Sequence, residues 1–286
     1  MAVIALMMTI SVSAQFYIYC SDGNIIKVDS ISMVAPEEPK EPTPSAGIGK
    51  FSVSADKQVT FSKGNLQYHP ANDEWRFAEN QNDYIGQANT NIAANYDGWI
   101  DLFGWSTSTT NFGVSTSTDY SDYSGSFVDW GTNKIGNDAP NTWRTLTFED
   151  WYYLLYHRTN ANDLVGVAQV NGVNGLIFLP DNWTCPAGVT FKSGFHSERG
   201  VDYYAAYQTF TAAEWSKLEA AGAVFLPAAG YRHGSSVYNV QGGGYYWSAT
   251  EDYSDIAYYL RFYSDEADMY NDNRNDGQSV RLVKDL

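Results

Sequence analysis

Between Tyr245 and Gly277, nineteen of thirty-three residues are Tyr, Asp, Ser or Asn. Tyrosine offers large, rigid contact area with a polar tip, and Ser, Asn and Asp offer adaptable hydrogen bonds, the pairing used by antibody-like binding surfaces. Catalysis would ask instead for a few titratable groups held in fixed geometry. The chemistry expected of this stretch is therefore recognition. Tyr253, Asp255, Tyr258, Arg261, Tyr263, Asp265, Asp268, Tyr270, Asn271, Asn273 and Asn275 are expected to share one exposed ligand-binding surface. Strand alternation turns Leu260 and Phe262 inward and sends Tyr259, Arg261 and Tyr263 to the opposite face. Tyr258 shares the inward parity and is expected at a strand start. The competing reading, ordinary sheet packing of Tyr258 to Tyr263, stays open.

Other reactive residues form weaker patterns. His196-Ser-Glu198 sets a base near a carboxylate, but no nucleophile motif accompanies it, and neither Gly-x-Ser-x-Gly nor His-Glu-x-x-His occurs. Ordinary loop hydrogen bonds are expected of these histidines. Gly242-Gly-Gly244 lacks the Lys and Ser/Thr of a phosphate-binding loop and reads as a turn feeding a strand at Tyr245. The cluster Asp265–Asp276 has oxygens enough for Ca²⁺ but not the spacing of an EF-hand loop. No cofactor is expected, with calcium kept as the alternative. Cys20 and Cys185 lie far apart and supply too few ligands for zinc, so both are read as reduced thiols.

The elements that must position these residues can be read from caps and periods. Thr147-Phe-Glu-Asp150 sets a capping hydroxyl three residues before a carboxylate, ahead of Trp151, Leu154 and Leu155, and predicts a helix over 148–160. Thr211-Ala-Ala-Glu214 repeats the device ahead of Trp215 and Leu218, and Gly222 stops a helix over 212–221. Apolar runs bounded by turn residues predict strands at Gly175–Pro180, Ala223–Pro227, Tyr258–Phe262 and Ser279–Val283, the last inside the sheet with Val280 and Leu282 buried. Ser106–Ser126, rich in Ser, Thr, Gly and Tyr, reads as a long surface loop.

Residues 1–14 form a short apolar run ending Val12-Ser-Ala14, which reads as an export signal. It lacks the usual basic residue in front, so Met1 is read as an internal start of a longer signal. Residues 15–34 predict a small β-hairpin. Residues 35–49 carry Pro36, Pro39, Pro42 and Pro44 among glutamates, an extended tether. With so little apolar surface, residues 15–49 are expected to touch the main domain, residues 50–286, only sparsely. The formal charge of −16 repels nucleic acid and anionic membranes, whose phosphates need clustered Lys and Arg. No nucleic-acid partner is expected, and no stretch reads as a transmembrane helix.

Several runs resemble a known family: Phe61-Ser-Lys-Gly-Asn-Leu-Gln-Tyr68, Trp75-Arg-Phe77, Gly98-Trp-Ile-Asp-Leu-Phe-Gly-Trp105, Tyr246-Trp-Ser-Ala-Thr250 and Gly277-Gln-Ser-Val-Arg-Leu-Val283. They are similar to secreted paralogous domains of Bacteroidetes and Fibrobacter related to the C-type lectin-like fold of formylglycine-generating enzymes. The resemblance covers roughly residues 50–286. It implies an α+β domain, two helices on a small twisted antiparallel sheet with long ordered loops. The ending also resembles the variable region of proteins diversified by retroelements, in which adenine-directed codon changes yield Tyr, Asp, Ser and Asn. Formylglycine-generating enzymes use a cysteine pair, whereas Cys185 stands alone in the domain, which argues against that activity.

The reading is thus an exported, non-enzymatic, adhesin-type binding protein with an unknown protein or glycan ligand, acting at the cell surface, in the periplasm or outside the cell. The alternative is a structural envelope or fimbria-associated protein without a variable site. A formylglycine-generating-type enzyme is the distant third.

Overall fold

The computed structural model describes residues 49–286 and the backbone of two short strands ahead of them. The chain divides into two compact units, Met1–Thr43 and Pro44–Leu286. In the first, β1 (Phe16–Tyr19) and β2 (Ile25–Val28) pair antiparallel, Phe16 opposite Val28. The export signal, Cys20, all of the 35–49 tether but Gly49, and the sparse contact expected of residues 15–49 lie outside the described residues.

The second unit is mixed α+β. It begins with β3 (Phe51–Ser52), β4 (Gln58–Phe61), β5 (Leu66–His69) and β6 (Glu74–Phe77). After a long irregular stretch come β7 (Arg144–Thr145), helix α1 (Phe148–Tyr156), β8 (Val165–Val170) and β9 (Val173–Phe178). Helix α2 (Val201–Tyr207), β10 (Thr209–Phe210), α3 (Ala212–Ala220) and β11 (Val224–Pro227) follow. The chain ends in β12 (Tyr231–His233), β13 (Ser236–Tyr238), β14 (Gly244–Tyr253), β15 (Ile256–Phe262), β16 (Ala267–Asn273) and β17 (Leu282–Asp285).

Both capping boxes form. Asp150 N–H donates to Thr147 Oγ1 at 3.1 Å while Thr147 N–H donates to Asp150 Oδ2 at 3.0 Å. Thr211 and Glu214 do the same at the start of α3, satisfying amides that a helix start leaves without partners. The first helix stops at Tyr156 rather than 160. Arg158 turns inward, and its Nε donates to the Leu154 carbonyl at 2.9 Å, the acceptor that the residue-158 amide would take in a continuing helix. Helix α2 had no sequence signal, because its N-cap is Gly200, which has no capping side chain.

Strands β10-β8-β9-β11 form one sheet, parallel between β10 and β8 and antiparallel elsewhere. Gly175 lets β9 approach β11: a Cβ there would collide with the Phe225 ring and the Leu226 carbonyl. A second sheet runs β3-β4-β17-β7, with β17 interior and Val283 opposite both Phe61 and Arg144. Regular structure in this last strand is shifted to Leu282–Asp285, while Ser279 makes an isolated bridge to Tyr246. Val280 and Leu282 are buried, as expected.

The third sheet is the meander β14-β15-β16, and it lies between two cores. Tyr246, Leu260, Phe262 and Met269 belong to a cluster with Trp151, Leu154 and Val167. Tyr245, Trp247, Ala257 and Tyr259 belong to another, with Phe103, Trp105 and Trp130. Burial on both faces is uncommon for an antiparallel sheet, which usually leaves one face to water. Here long loops cover the second face, and the indoles of Trp105 and Trp247 bond across the gap to the carbonyls of Ser248 and Phe103. The expected surface loop 106–126 is therefore partly core: Ser106 and Tyr123 are buried.

Candidate recognition surface

The strongest polar-aromatic cluster forms where the β15–β16 turn meets the loop before α2. The Arg261 guanidinium carbon lies 3.4 Å from the Tyr270 ring centroid and 5.2 Å from that of Tyr263. Arg199 covers the Tyr263 ring at 4.0 Å. Glu266 Oε1 accepts from Arg261 Nη2 at 2.9 Å and from Arg199 Nη2 at 2.7 Å, and Asp265 Oδ1 accepts from Arg199 Nε at 2.9 Å. The result is two cations alternating with two rings, tied by two carboxylates.

Local backbone bonds hold this arrangement. Tyr263 N–H donates to Glu266 O at 2.9 Å, closing the turn. Ser264 Oγ accepts from Gly200 N–H and donates to Glu198 O, which pins the Arg199 loop onto the turn. Burial opposes the charge of Arg261, but Glu266 and the neighbouring tyrosines outweigh it and raise its pKa. Half-exposed ion pairs of this kind contribute on the order of 1 kcal/mol or less. Their larger effect is to fix where the rings stand.

A tyrosine wall extends the cluster. The hydroxyls of Tyr245 and Tyr263 lie 2.7 Å apart, and Asn239 Nδ2 donates to the Tyr245 oxygen at 2.8 Å. Tyr231 packs 5.0 Å from Tyr245 and stacks on Tyr238 at 5.4 Å. Burial raises the phenol pKa of Tyr245 and Tyr259 strongly, so both remain neutral hydrogen-bonding groups at neutral pH.

The expected single surface breaks up. Arg261, Tyr263, Asp265 and Tyr270 come together as described. Tyr258 and Asn271 form a second group across the β15–β16 register, both bonded to Asp252, at 2.9 and 2.6 Å. Tyr258 packs 4.6 Å from Phe148 at the start of α1, and Asp268 accepts from the Tyr156 hydroxyl at 2.8 Å. Tyr253 and Asp255 stand at the tip of the β14–β15 hairpin, with Tyr253 66% exposed, and Asn273 ends β16 opposite Ile256. Asn275 must be removed from the surface: it is buried, and its Nδ2 donates to Thr118 O at 3.1 Å. After β16 the chain passes beneath the 106–126 loop, which strand parity cannot reveal. Tyr259, expected on the outward face, is buried beside Trp247 and Tyr270, in the aromatic cluster that also holds Phe103 and Trp105.

Sequence reasoning missed Arg199, Glu266, Tyr231, Tyr238 and Tyr245 as neighbours of the cluster. The hairpin Tyr231–Tyr238 continues the tyrosine enrichment upstream and was a usable signal. Arg199 had none, because it reaches the turn from another part of the chain.

The remaining reactive groups are placed plainly. His196 Nδ1 accepts from the Glu198 amide at 2.9 Å, and its ring stacks on Tyr203, so it makes loop contacts rather than a pair with the Glu198 carboxylate. Gly242 and Gly243 close a turn with their amides on Asn239 O, and Gly244 opens β14. Cys185 is exposed and unbridged. Among the described residues, no group of three or more His, Cys, Asp or Glu side chains is placed to hold a metal ion, and no helix is long and apolar enough to cross a membrane.

The profile of a domain of unknown function, DUF8237, matches residues 208–283, a stretch that takes in α3, the Tyr231–Tyr238 hairpin and the whole β14–β16 meander. No curated protein and no solved structure matches the chain.

Proposed function

We propose that this chain is an exported, non-enzymatic binding protein of C-type lectin-like fold whose recognition surface is the Arg199–Tyr263–Arg261–Tyr270 cluster. The observation carrying this reading is the alternation of cations and tyrosine rings around Glu266. Rigid aromatic anchors lose little entropy on binding, and Tyr and Arg dominate the energetics of binding surfaces. The two capped helices, the antiparallel meander and the long packed loops support the lectin-like fold. The apolar run over residues 1–14 supports export, and the Tyr/Asp/Asn/Ser composition of residues 245–277 supports diversification by a retroelement.

The test is a protein and glycan array probed with the chain and with a Tyr263→Ala/Tyr270→Ala double variant. Truncating such an anchor costs on the order of 2 kcal/mol, so binding should weaken at least tenfold at about 1.4 kcal/mol per decade. Unchanged binding in a folded double variant would place the site elsewhere. A reverse-transcriptase gene beside a near-copy of the DNA for residues 245–283 is the expected genomic companion.

One feature favours the second reading, an envelope subunit packing against a partner. Tyr152 and Tyr156 are exposed on α1 and continue through Phe148 to Tyr258 as a column of rings. Loss of assembly, with array binding intact, in a Tyr152→Ala/Tyr156→Ala variant would select it.

A further inference from the structure

A cleft of about 530 Å³ opens between the β5–β6 hairpin and the loop 109–116. This volume falls in the range of about 300–1,000 Å³ typical of small-molecule sites. Its apolar wall is aromatic: Tyr68 lies 4.4 Å from Trp75, and Phe112 meets Trp75 edge-on at 5.8 Å. Its polar rim carries Asp73, Asn111 and Asn133. Tyr68 donates to Asp73 Oδ1 at 3.0 Å, which orients the carboxylate and leaves Oδ2 to accept from a ligand. Burial and that bond push the Tyr68 phenol up to about 12, so it stays a donor. Among the described residues, no Lys, Arg or His lines the cleft.

The backbone of this cleft is held in sparsely populated conformations. Asp73 has φ 50° and Phe112 φ 48°. Aspartate tolerates the left-handed region, but a phenylalanine there is an outlier that persists only where its surroundings over-determine it. They do so here. Trp130 Nε1 donates to Phe112 O at 2.8 Å, and Gly104 N–H donates to Gly113 O at 2.9 Å. A Cβ on Gly113 would strike the Gly104 carbonyl, so the loop cannot sit this close with any other residue there. The ring of Phe112 is thereby set in place before any ligand arrives, which lowers the cost of binding.

We propose that this cleft is a second binding site, for a neutral saccharide. Aromatic rings suit the apolar C–H face of a sugar ring. Amides and an oriented carboxylate suit its hydroxyls, and the lack of cations disfavours phosphorylated or other anionic ligands. The site shares no residue with the Arg261 cluster and stands independently of the function assigned to it.

Calorimetric titration of the full chain with cellotetraose, chitotetraose and mannotetraose tests the proposal. At least one should bind, and both Phe112→Ala and Asp73→Asn should weaken it tenfold or more. Asparagine also accepts the left-handed conformation, so Asp73→Asn decides the matter if Phe112→Ala fails to fold. Tyr263→Ala/Tyr270→Ala should bind the same sugar as tightly as the parent. The proposal is overturned if none of the three sugars binds at millimolar concentration, if Asp73→Asn binds normally, or if the double variant loses the sugar.

Discussion

Arg261 and Tyr270 meet on the diagonal of two neighbouring strands. The register sets Arg261 opposite Asp268 and Tyr270 opposite Tyr259, yet the guanidinium carbon lies 3.4 Å from the Tyr270 ring centroid. Glu266 fixes the geometry by accepting from Arg261 Nη2. The acidic neighbour thus presents the arginine's flat face to the ring. A planar cation stacks in this way, and a lysine ammonium does so poorly.

Arg261→Ala should therefore cost about 1 kcal/mol, the scale of a half-buried cation–π contact. Arg261→Lys should recover less than half of that loss. Urea unfolding of the three chains measures it, and equal stability of all three would show that the stack contributes nothing.

Asp101 supplies a pH dependence with a definite sign. It is fully buried, with Oδ1 accepting from Asn89 Nδ2 at 2.8 Å and Oδ2 from Ile85 N–H at 2.9 Å. Burial raises its pKa from 3.8 to about 6, and these hydrogen bonds offset only part of the shift. Between those two values the folded chain holds a proton that the unfolded chain has released. This contribution to stability is complete below the unfolded pKa and is lost as pH rises through the folded one. The loss is roughly 3 kcal/mol, two pH units at about 1.36 kcal/mol each. NMR titration of the Asp101 carboxyl should show a midpoint near 6, and Asp101→Asn should lack this component of the pH–stability curve. A midpoint near 4 would remove the argument.

Arg274 is buried and bonds three carbonyls: Gly125 from Nη1 at 3.0 Å, Tyr253 from Nη2 at 2.7 Å and Ile256 from Nε at 3.4 Å. It joins the β14–β15 hairpin to the 106–126 loop and lies 4.2 Å from the Trp105 ring. Arg274→Met should cost about 2–4 kcal/mol, because it breaks the charged hydrogen-bond network that this buried guanidinium makes to the hairpin and the loop. Hydrogen exchange should rise first in the hairpin. A cost under about 1 kcal/mol would mean that water replaces the guanidinium readily.

The two capping boxes offer a local control. Thr147→Ala and Thr211→Ala should each cost about 1 kcal/mol, the usual loss on removing a capping hydroxyl. The two losses should add, since the caps belong to different helices and share no bonds. Marked non-additivity in a denaturant series would contradict that independence.

Helices α1 and α3 were legible at the sequence level because caps and helical periods are local: Thr147 reaches Asp150, and Thr211 reaches Glu214, within four residues. Leu260 and Phe262 were likewise assigned inward from alternation alone. The polar-aromatic composition of the C-terminal stretch was also plain in the chain itself. Tertiary structure decided which of those residues meet. Alternation assigns the two faces of a strand, but it cannot say that both will be covered. Phe103 and Trp105, which share a cluster with Tyr259, and Thr118, which accepts from Asn275, come from more than a hundred residues earlier in the chain. Arg199 joins Tyr263 and Glu266 across some sixty-five residues, through the Ser264–Gly200 contact. Such contacts form because the chain closes on itself around the β14–β16 sheet, and no local pattern of residue types carries that information.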